Sequence, residues 1–281
     1  MAMPRTAHRQ AGSKARIADQ IVTLIPRDTT VWVEGFVGTA AVTLSRPIGR
    51  AAEHINDLNG EIVNLFRVLR NDAQLAELCR KVYLTPYSQE EFEVARTIWA
   101  DEHADELDPV ERALRTLIAS WQAIGGKQTH TAAWRLDLKR SWLVSVWHSV
   151  PDRLLRTAVR LKHVHIHRRH VLEILDLFGD NARATIYLDP PYPRTSLATR
   201  EVLYACDMTL AEHDALIERL LRCRARVIVS MSVCDLYDDA FRDGGWWSQS
   251  VAVRGLRNAV KVERLHCNWP VETSTDLFAS L

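Results

Sequence analysis

Short β-branched apolar runs, each handing over to a stretch of helical period, recur on both sides of a long polar block, and this alternation constrains the fold more than any other feature. RIADQIVTLI (16–25) has helical spacing and is broken by Pro26 and Asp28. TTVWVEGF (29–36) then reads as a strand entering a glycine turn. A helix through AAVTLSRP, a strand near HIND and a helix over GEIVNLFRVLRN follow. From about Asp72 to His163 the pattern is helical and polar, with Gly125 and Gly126 as its break. Strand chemistry returns at HVHIH, TIYLDPPY and RVIVSMS, with TLAEHDALIERLLRC as a helix between the last two. WWSQSVAV and KVERLHCNW close the chain as strands joined by a loop containing Gly255 and Asn258. The expectation is an α/β doubly wound sheet, formed by residues 1–71 and 163–281 and interrupted by a mostly helical insertion over 72–162.

A chain of 281 residues can bury the core of one large domain carrying an insertion. Its hydrophobic content of 47% and charged content of 25% are those of an ordinary soluble protein. The basic start, MAMPRTAHRQAGSKAR, lacks the apolar stretch of a signal peptide, and no later window has the ~20 apolar residues of a membrane span, so a cytoplasmic protein is expected. Five scattered cysteines without a C-x-x-C pair suggest neither a disulfide framework nor a zinc site.

The run ATIYLDPPYPR (184–194) ends a strand in an acid, two prolines and a tyrosine. Each proline fixes φ and removes a donor, so pairing stops and a stiff turn presents the Asp189 carboxylate, backbone carbonyls and the Tyr192 ring. That set suits a flat, amine-bearing ring; the bland alternative is a structural turn. VWVEGFVGTAAV (31–42) places Gly35 and Gly38 where a strand passes to a helix, with Asp57 at the distance from which an acidic residue holds ribose hydroxyls in nucleotide folds. An ordinary tight turn is the alternative here, and a Walker-type phosphate loop is excluded because no G-x-x-x-x-G-K-[ST] occurs. The alternating HVHIHRRH (163–170) puts His163, His165 and His167 on one strand face, a packing pattern rather than a metal site.

Taken together these strings resemble the Dam-like DNA adenine methylases, adenine-N6 methyltransferases that use S-adenosylmethionine (SAM). AGSK (11–14) is similar to the family's N-terminal glycine-lysine motif, EGFVGTA (34–40) to its E-P-F-x-G-x-G cofactor loop, NDLN (56–59) to its N-D-x-N segment, and LDPPY (188–192) to its catalytic motif. The order also agrees: cofactor loop, variable helical block, then D-P-P-Y. Past that motif the resemblance runs through LYACDMTLAEHDALIERLL and RVIVSMS to the terminal VERLHCNWP. The chain departs from the pattern at Gly35 for proline, Ala40 for glycine, Ser13 for a second glycine, and His170 where the family carries an aspartate that contacts the SAM adenine.

The resemblance implies a Rossmann-like methyltransferase sheet with an inserted target-recognition region over 72–162. It implies Gly12, Lys14, Glu34, Gly35, Phe36, Gly38, Asp57, Asn59, His170 and Asp189 at the cofactor, and Asp189, Pro190, Pro191 and Tyr192 as the catalytic turn. In that reading the Asp189 carboxylate and the Pro190 carbonyl each accept a hydrogen of the adenine amine while Tyr192 stacks on a base flipped out of double-stranded DNA. Tyr204 and Met208 either line the adenine pocket or pack. Between Lys127 and Arg169 ten basic residues, interleaved with Trp134, Trp142 and Trp147, meet only Asp137 and Asp152 in sequence. This is either a phosphate-tracking surface, with Lys127, Arg135, Lys139 and Arg140 as DNA contacts, or a solvated helical face. The implied activity is site-specific DNA adenine methylation, with a cognate restriction endonuclease as a further partner. The competing functions are cytosine-N4 methylation, a silent DNA-binding relative without SAM, and a small-molecule or RNA amine as acceptor.

Overall fold

The computed structural model describes residues 6–138, 142–193, 206–254 and 260–271. Its strands are β1 (Val31–Glu34), β2 (Ala52–Asn56), β3 (Val164–His167), β4 (Ala184–Leu188), β5 (Arg226–Ser232), β6 (Trp247–Arg254) and β7 (Val260–Cys267). Its α-helices are α1 (Ala18–Leu24), α2 (Ala41–Ser45), α3 (Gly60–Leu69), α4 (Asp72–Leu84), α5 (Gln89–Ala95), α6 (Pro109–Gln122), α7 (Trp142–His148), α8 (Val150–Leu161), α9 (Val171–Phe178), α10 (Leu210–Leu221) and α11 (Asp235–Asp243). The expected Lys139 and Arg140, Tyr204, and the loop of Gly255 and Asn258 lie outside the described residues.

Among the described residues one seven-stranded sheet forms in the order β3-β2-β1-β4-β5-β7-β6. The first five strands are parallel, and β7 runs antiparallel to both β5 and β6. The doubly wound sheet expected from the alternating pattern is therefore present. Strand β4 is buried at all five positions because helices cover both of its faces, which is why ATIYL reads as a continuous apolar run. One face packs on α9, α10 and α11 through Ile174, Leu216 and Phe241. The other side of the β1–β3 half carries α3 and the helical block in a single apolar cluster running from Leu44 and Phe66 to Leu117 and Leu154. The block thus shares its core with α3, and Gly125 and Gly126, both at φ +71°, bend the chain out of α6 as their glycine pattern predicts.

Two helices go beyond the expected elements. α9 starts at His170, whose Nδ1 accepts the Leu172 N–H while Glu173 reaches back to the His170 amide, so a histidine fills the capping role that a short acid or hydroxyl usually takes. α11 is short and polar, and it is anchored by Tyr237 and Phe241 rather than by helical periodicity.

Arg160 belongs to the basic run, yet it is 7% exposed. Its guanidinium pairs with Glu53 on β2 and donates to the Thr43 carbonyl at 2.9 Å, while Arg46 takes the other side of Glu53. This buried triad ties α8 to the sheet, so Arg160 is structural rather than a phosphate contact. Likewise Trp147 is buried with its indole N–H donated to the Thr85 carbonyl, and Trp134 donates to Gln122. His165 and His167 stack on His54, with His54 Nδ1 and His167 Nε2 3.0 Å apart.

Candidate cofactor and catalytic site

Strand order reverses between β1 and β4, and in open parallel sheets the crevice outside the carboxyl ends at such a point receives ligands. A solvent-open cavity lies there. Gly12, Lys14, Glu34, Gly35, Phe36, Gly38, Asp57, Asn59, His170, Asp189 and Pro191 all line it, so residues expected from five separate strings meet in one place. Met208 lines it as well.

The β1–β2 side is held by main-chain donors. Asp57 accepts the Gly38 amide on Oδ2 and the Asn59 amide on Oδ1, each at 2.9 Å. Burial raises its carboxyl above the usual range, against the pull of these amides. Asn56 closes the ends of three strands: its Nδ2 donates to the Gly35 and Arg169 carbonyls and its Oδ1 accepts the Arg169 amide. Asn59 caps α3 by accepting the Glu61 amide. Gly38 sits at φ +43°, a left-handed conformation that favours glycine, and a Cβ there would also press on the end of the Gln10 side chain. Ala40, the departure from the family pattern, also adopts a left-handed conformation (φ 56°, ψ 27°) while fully buried. Glu34 is buried against the start of α2, where it accepts the Thr43 amide at 2.9 Å; burial pushes its carboxyl up to about 7.

The β4 side is held by countercharge. Lys14 Nζ lies 2.8 Å from Asp189 Oδ1 and 3.7 Å from Glu263 Oε2, and it donates to the Gly12 carbonyl at 3.0 Å and to the Tyr192 hydroxyl at 2.9 Å. Burial works against its charge, but the two carboxylates outweigh that and raise the ammonium's pKa. Asp189 is pushed up to about 6, first by burial and then by Glu263, with Lys14 opposing both. Ser230 Oγ donates to the same Oδ1 at 3.2 Å. Both anchors fall on Oδ1, and among the described residues Oδ2 takes none, which leaves it as the acceptor for an incoming donor.

Of the expected catalytic turn, Pro190 and Tyr192 are not among the residues that line the cavity. The Tyr192 ring packs with the β4–β5 core, 5.2 Å from Lys14 Nζ, and its hydroxyl donates to Glu263 at 2.8–2.9 Å. Glu263 on β7 was legible only as part of a terminal resemblance, with no role attached; nothing local in VERLHC marks it as part of a site. Gln10 and Gln128 also line the cavity without a sequence signal.

Of the expected DNA contacts within the described residues, Lys127 and Arg135 are half-buried, and the Arg135 guanidinium lies over the exposed Trp142 ring at 5.4 Å. Arg9 was not anticipated. It and Arg153 flank Trp121 at 5.8 and 4.9 Å, and burial with the like charges of Arg135 and Arg153 lowers its pKa.

The family model of the D12 class N6 adenine-specific DNA methyltransferases matches residues 11–129. Over those residues the chain is similar to this class. It is an adenine-specific DNA methyltransferase family, an enzyme family that acts on DNA, and the match supports adenine-N6 DNA methylation over the competing readings. The α/β sheet agrees with that class. No curated protein sequence matches the chain. The D12 match covers Lys14, the glycine turn and Asp57 but ends before β3, so the roles of Asp189, Tyr192 and Glu263 rest on geometry. No described helix is long and apolar enough to cross a membrane.

Proposed function

We propose that the chain transfers a methyl group from SAM to the exocyclic N6 amine of an adenine flipped out of double-stranded DNA, with Asp189 as the acceptor that orients the amine. The observation that carries this reading is the asymmetric anchoring of Asp189. Lys14 and Ser230 hold Oδ1, so the carboxylate is oriented and Oδ2 keeps its lone pairs for an amine hydrogen.

The cofactor side has the chemistry SAM requires. The two Asp57 oxygens, each already fixed by one amide, retain lone pairs for a pair of ribose hydroxyls, and the Gly38 turn allows close approach of the backbone. His170, with Nδ1 taken by the α9 cap, has Nε2 left for a purine edge, 3.9 Å from Glu212. Phe36 supplies an apolar floor, and Gly12, Glu34, Gly35 and Asn59 complete the surround. SAM, when bound, supplies a methyl already activated on its sulfonium.

The chain's own residues then do the aligning. The amine's lone pair is delocalised into the adenine ring. With Asp189 accepting one amine hydrogen and the Pro190 carbonyl the other, the nitrogen would be drawn toward tetrahedral geometry and its lone pair would be freed to accept the methyl group that bound SAM would supply. Pro191 stiffens the turn, and Tyr192 offers its face to the base. The surplus proton leaves the methylated nitrogen through the Asp189 carboxylate to water. Alignment of this kind is worth several kcal/mol, on the order of 7–11 in favourable cases.

Flipping the base costs a few kcal/mol, which contacts to the backbone must offset. We assign target recognition to residues 72–162, with Lys127, Arg135, Lys139, Arg140 and the Arg9–Trp121–Arg153 stack as phosphate contacts. A DNA substrate makes the cytoplasm the working compartment and a cognate restriction endonuclease the natural partner. The test is direct: incubate the protein with DNA and SAM, digest to nucleosides, and identify the product. N6-methyl-2′-deoxyadenosine is expected; N4-methyl-2′-deoxycytidine, or no methylated base, would sink the proposal.

A further inference from the structure

Glu263 belongs to β7, outside both the D12 match and the catalytic turn, yet the residue is 8% exposed and its carboxylate is committed to two residues of the site. Both oxygens lie within hydrogen-bonding distance of the Tyr192 hydroxyl, and Oε2 is 3.7 Å from Lys14 Nζ. Lys14 in turn touches Asp189 and Tyr192. The four side chains form one closed network drawn from the N-terminal segment, the turn after β4, and β7.

We infer that Glu263 is a positioning residue for methyl transfer, anchoring the Tyr192 hydroxyl and sharing the Lys14 ammonium with Asp189. The inference rests on the reading of Asp189 as amine acceptor and adds a residue that reading does not use.

Two consequences separate this role from simple packing. First, Tyr192 has a ring to present and a hydroxyl to be held by; a ring free to turn on its χ angles would offer no fixed face to the base. Second, Lys14 divides its attraction between two carboxylates. The groups facing Asp189 are Lys14 from the N-terminal segment, Ser230 from β5, Glu263 from β7, Glu34 from β1, and Tyr187 at the end of β4. Of these, Lys14 and Ser230 favour the ionised form, whereas Glu263 disfavours it. Removing the Glu263 charge while keeping its shape therefore lowers the Asp189 pKa twice over, by deleting a repulsion and by releasing Lys14 to Asp189 alone.

The experiment uses Glu263→Gln, Glu263→Ala, Tyr192→Phe and the Glu263→Ala/Tyr192→Phe pair in the full chain. In Glu263→Gln the acid limb of kcat, and the Asp189 carboxyl titration followed by carbon NMR without DNA, should both move to lower pH by about half a unit or more. In Glu263→Ala kcat should fall about 10–100-fold with KM for SAM and DNA little changed. The double variant should be no slower than Glu263→Ala, because both changes break one link. An unmoved titration in Glu263→Gln, or losses that multiply in the double variant, would overturn the inference. A wild-type chain that methylates no adenine sinks the functional reading instead, while the NMR titration still decides whether Glu263 governs Asp189.

Discussion

Asp57 and Asp189 follow β2 and β4, flank β1, line one cavity, and are both pushed up by burial, yet they are held in opposite ways. Asp57 is fixed by two backbone amides, neutral donors whose positions the chain itself dictates. Asp189 is fixed by a buried lysine that it shares with Glu263. Amide donors anchor a carboxylate without cancelling its charge, which suits holding hydroxyls of a ligand. A lysine sets orientation and also tunes the acid, which suits a group that must respond to charge developing on an amine. Under the proposed function, the difference divides the cavity into a binding side and a chemical side.

The largest expected effect comes from Asp189→Ala, which should slow transfer on the order of 10³-fold while SAM affinity by titration calorimetry stays close to wild type. If SAM binding is lost in parallel, the division into two sides fails. Asp57→Ala is the reciprocal probe. Loss of hydrogen bonds to a charged acceptor costs about 1.5–3 kcal/mol, so SAM should bind some tens of times more weakly, with kcat at saturating SAM largely preserved. A collapse of kcat there would show that the two carboxylates act as one unit.

A smaller effect should appear in the pH dependence. In the proposed function Asp189 acts as the carboxylate, and its pKa of about 6 lies above the ordinary aspartate value, so kcat should be full above that pH. It should then fall about tenfold for each unit below it. A flat profile down to pH 5 would mean that Lys14 holds Asp189 ionised throughout. The smallest effect concerns the turn between the two sides. Ala40 holds a left-handed conformation, which costs an L-residue about 1–2 kcal/mol and glycine almost nothing. After the extra chain entropy of glycine, Ala40→Gly should stabilise the protein by about 1 kcal/mol, a rise of ~2 °C in Tm by calorimetry. A fall in Tm would show that packing of the buried methyl outweighs the strain.

Much of this was legible before any coordinates. The apolar runs announce the central strands because both of their faces are covered. The glycines at 35 and 38 with Asp57, and the prolines after Asp189, are local chemistry in which backbone demands and residue type coincide. Capping hid α9, since a histidine at the cap gives no ordinary start signal. The basic run from Lys127 to Arg169 misled in part: two of its acids are remote in sequence, and Glu53 and Asp105 reach Arg160 and Arg168 only once the chain is folded, while Glu173 meets Arg169 just past the run's end, one helical turn away.

The order of residues by itself determined the alternating sheet, the glycine turn and the acid-proline-tyrosine turn, because propensity and φ restriction act within a few neighbours. Only the tertiary structure decided which charges are partners. Lys14, Asp189 and Glu263 are far apart along the chain, and a Coulomb interaction depends on separation in space and on burial, neither of which a linear string contains.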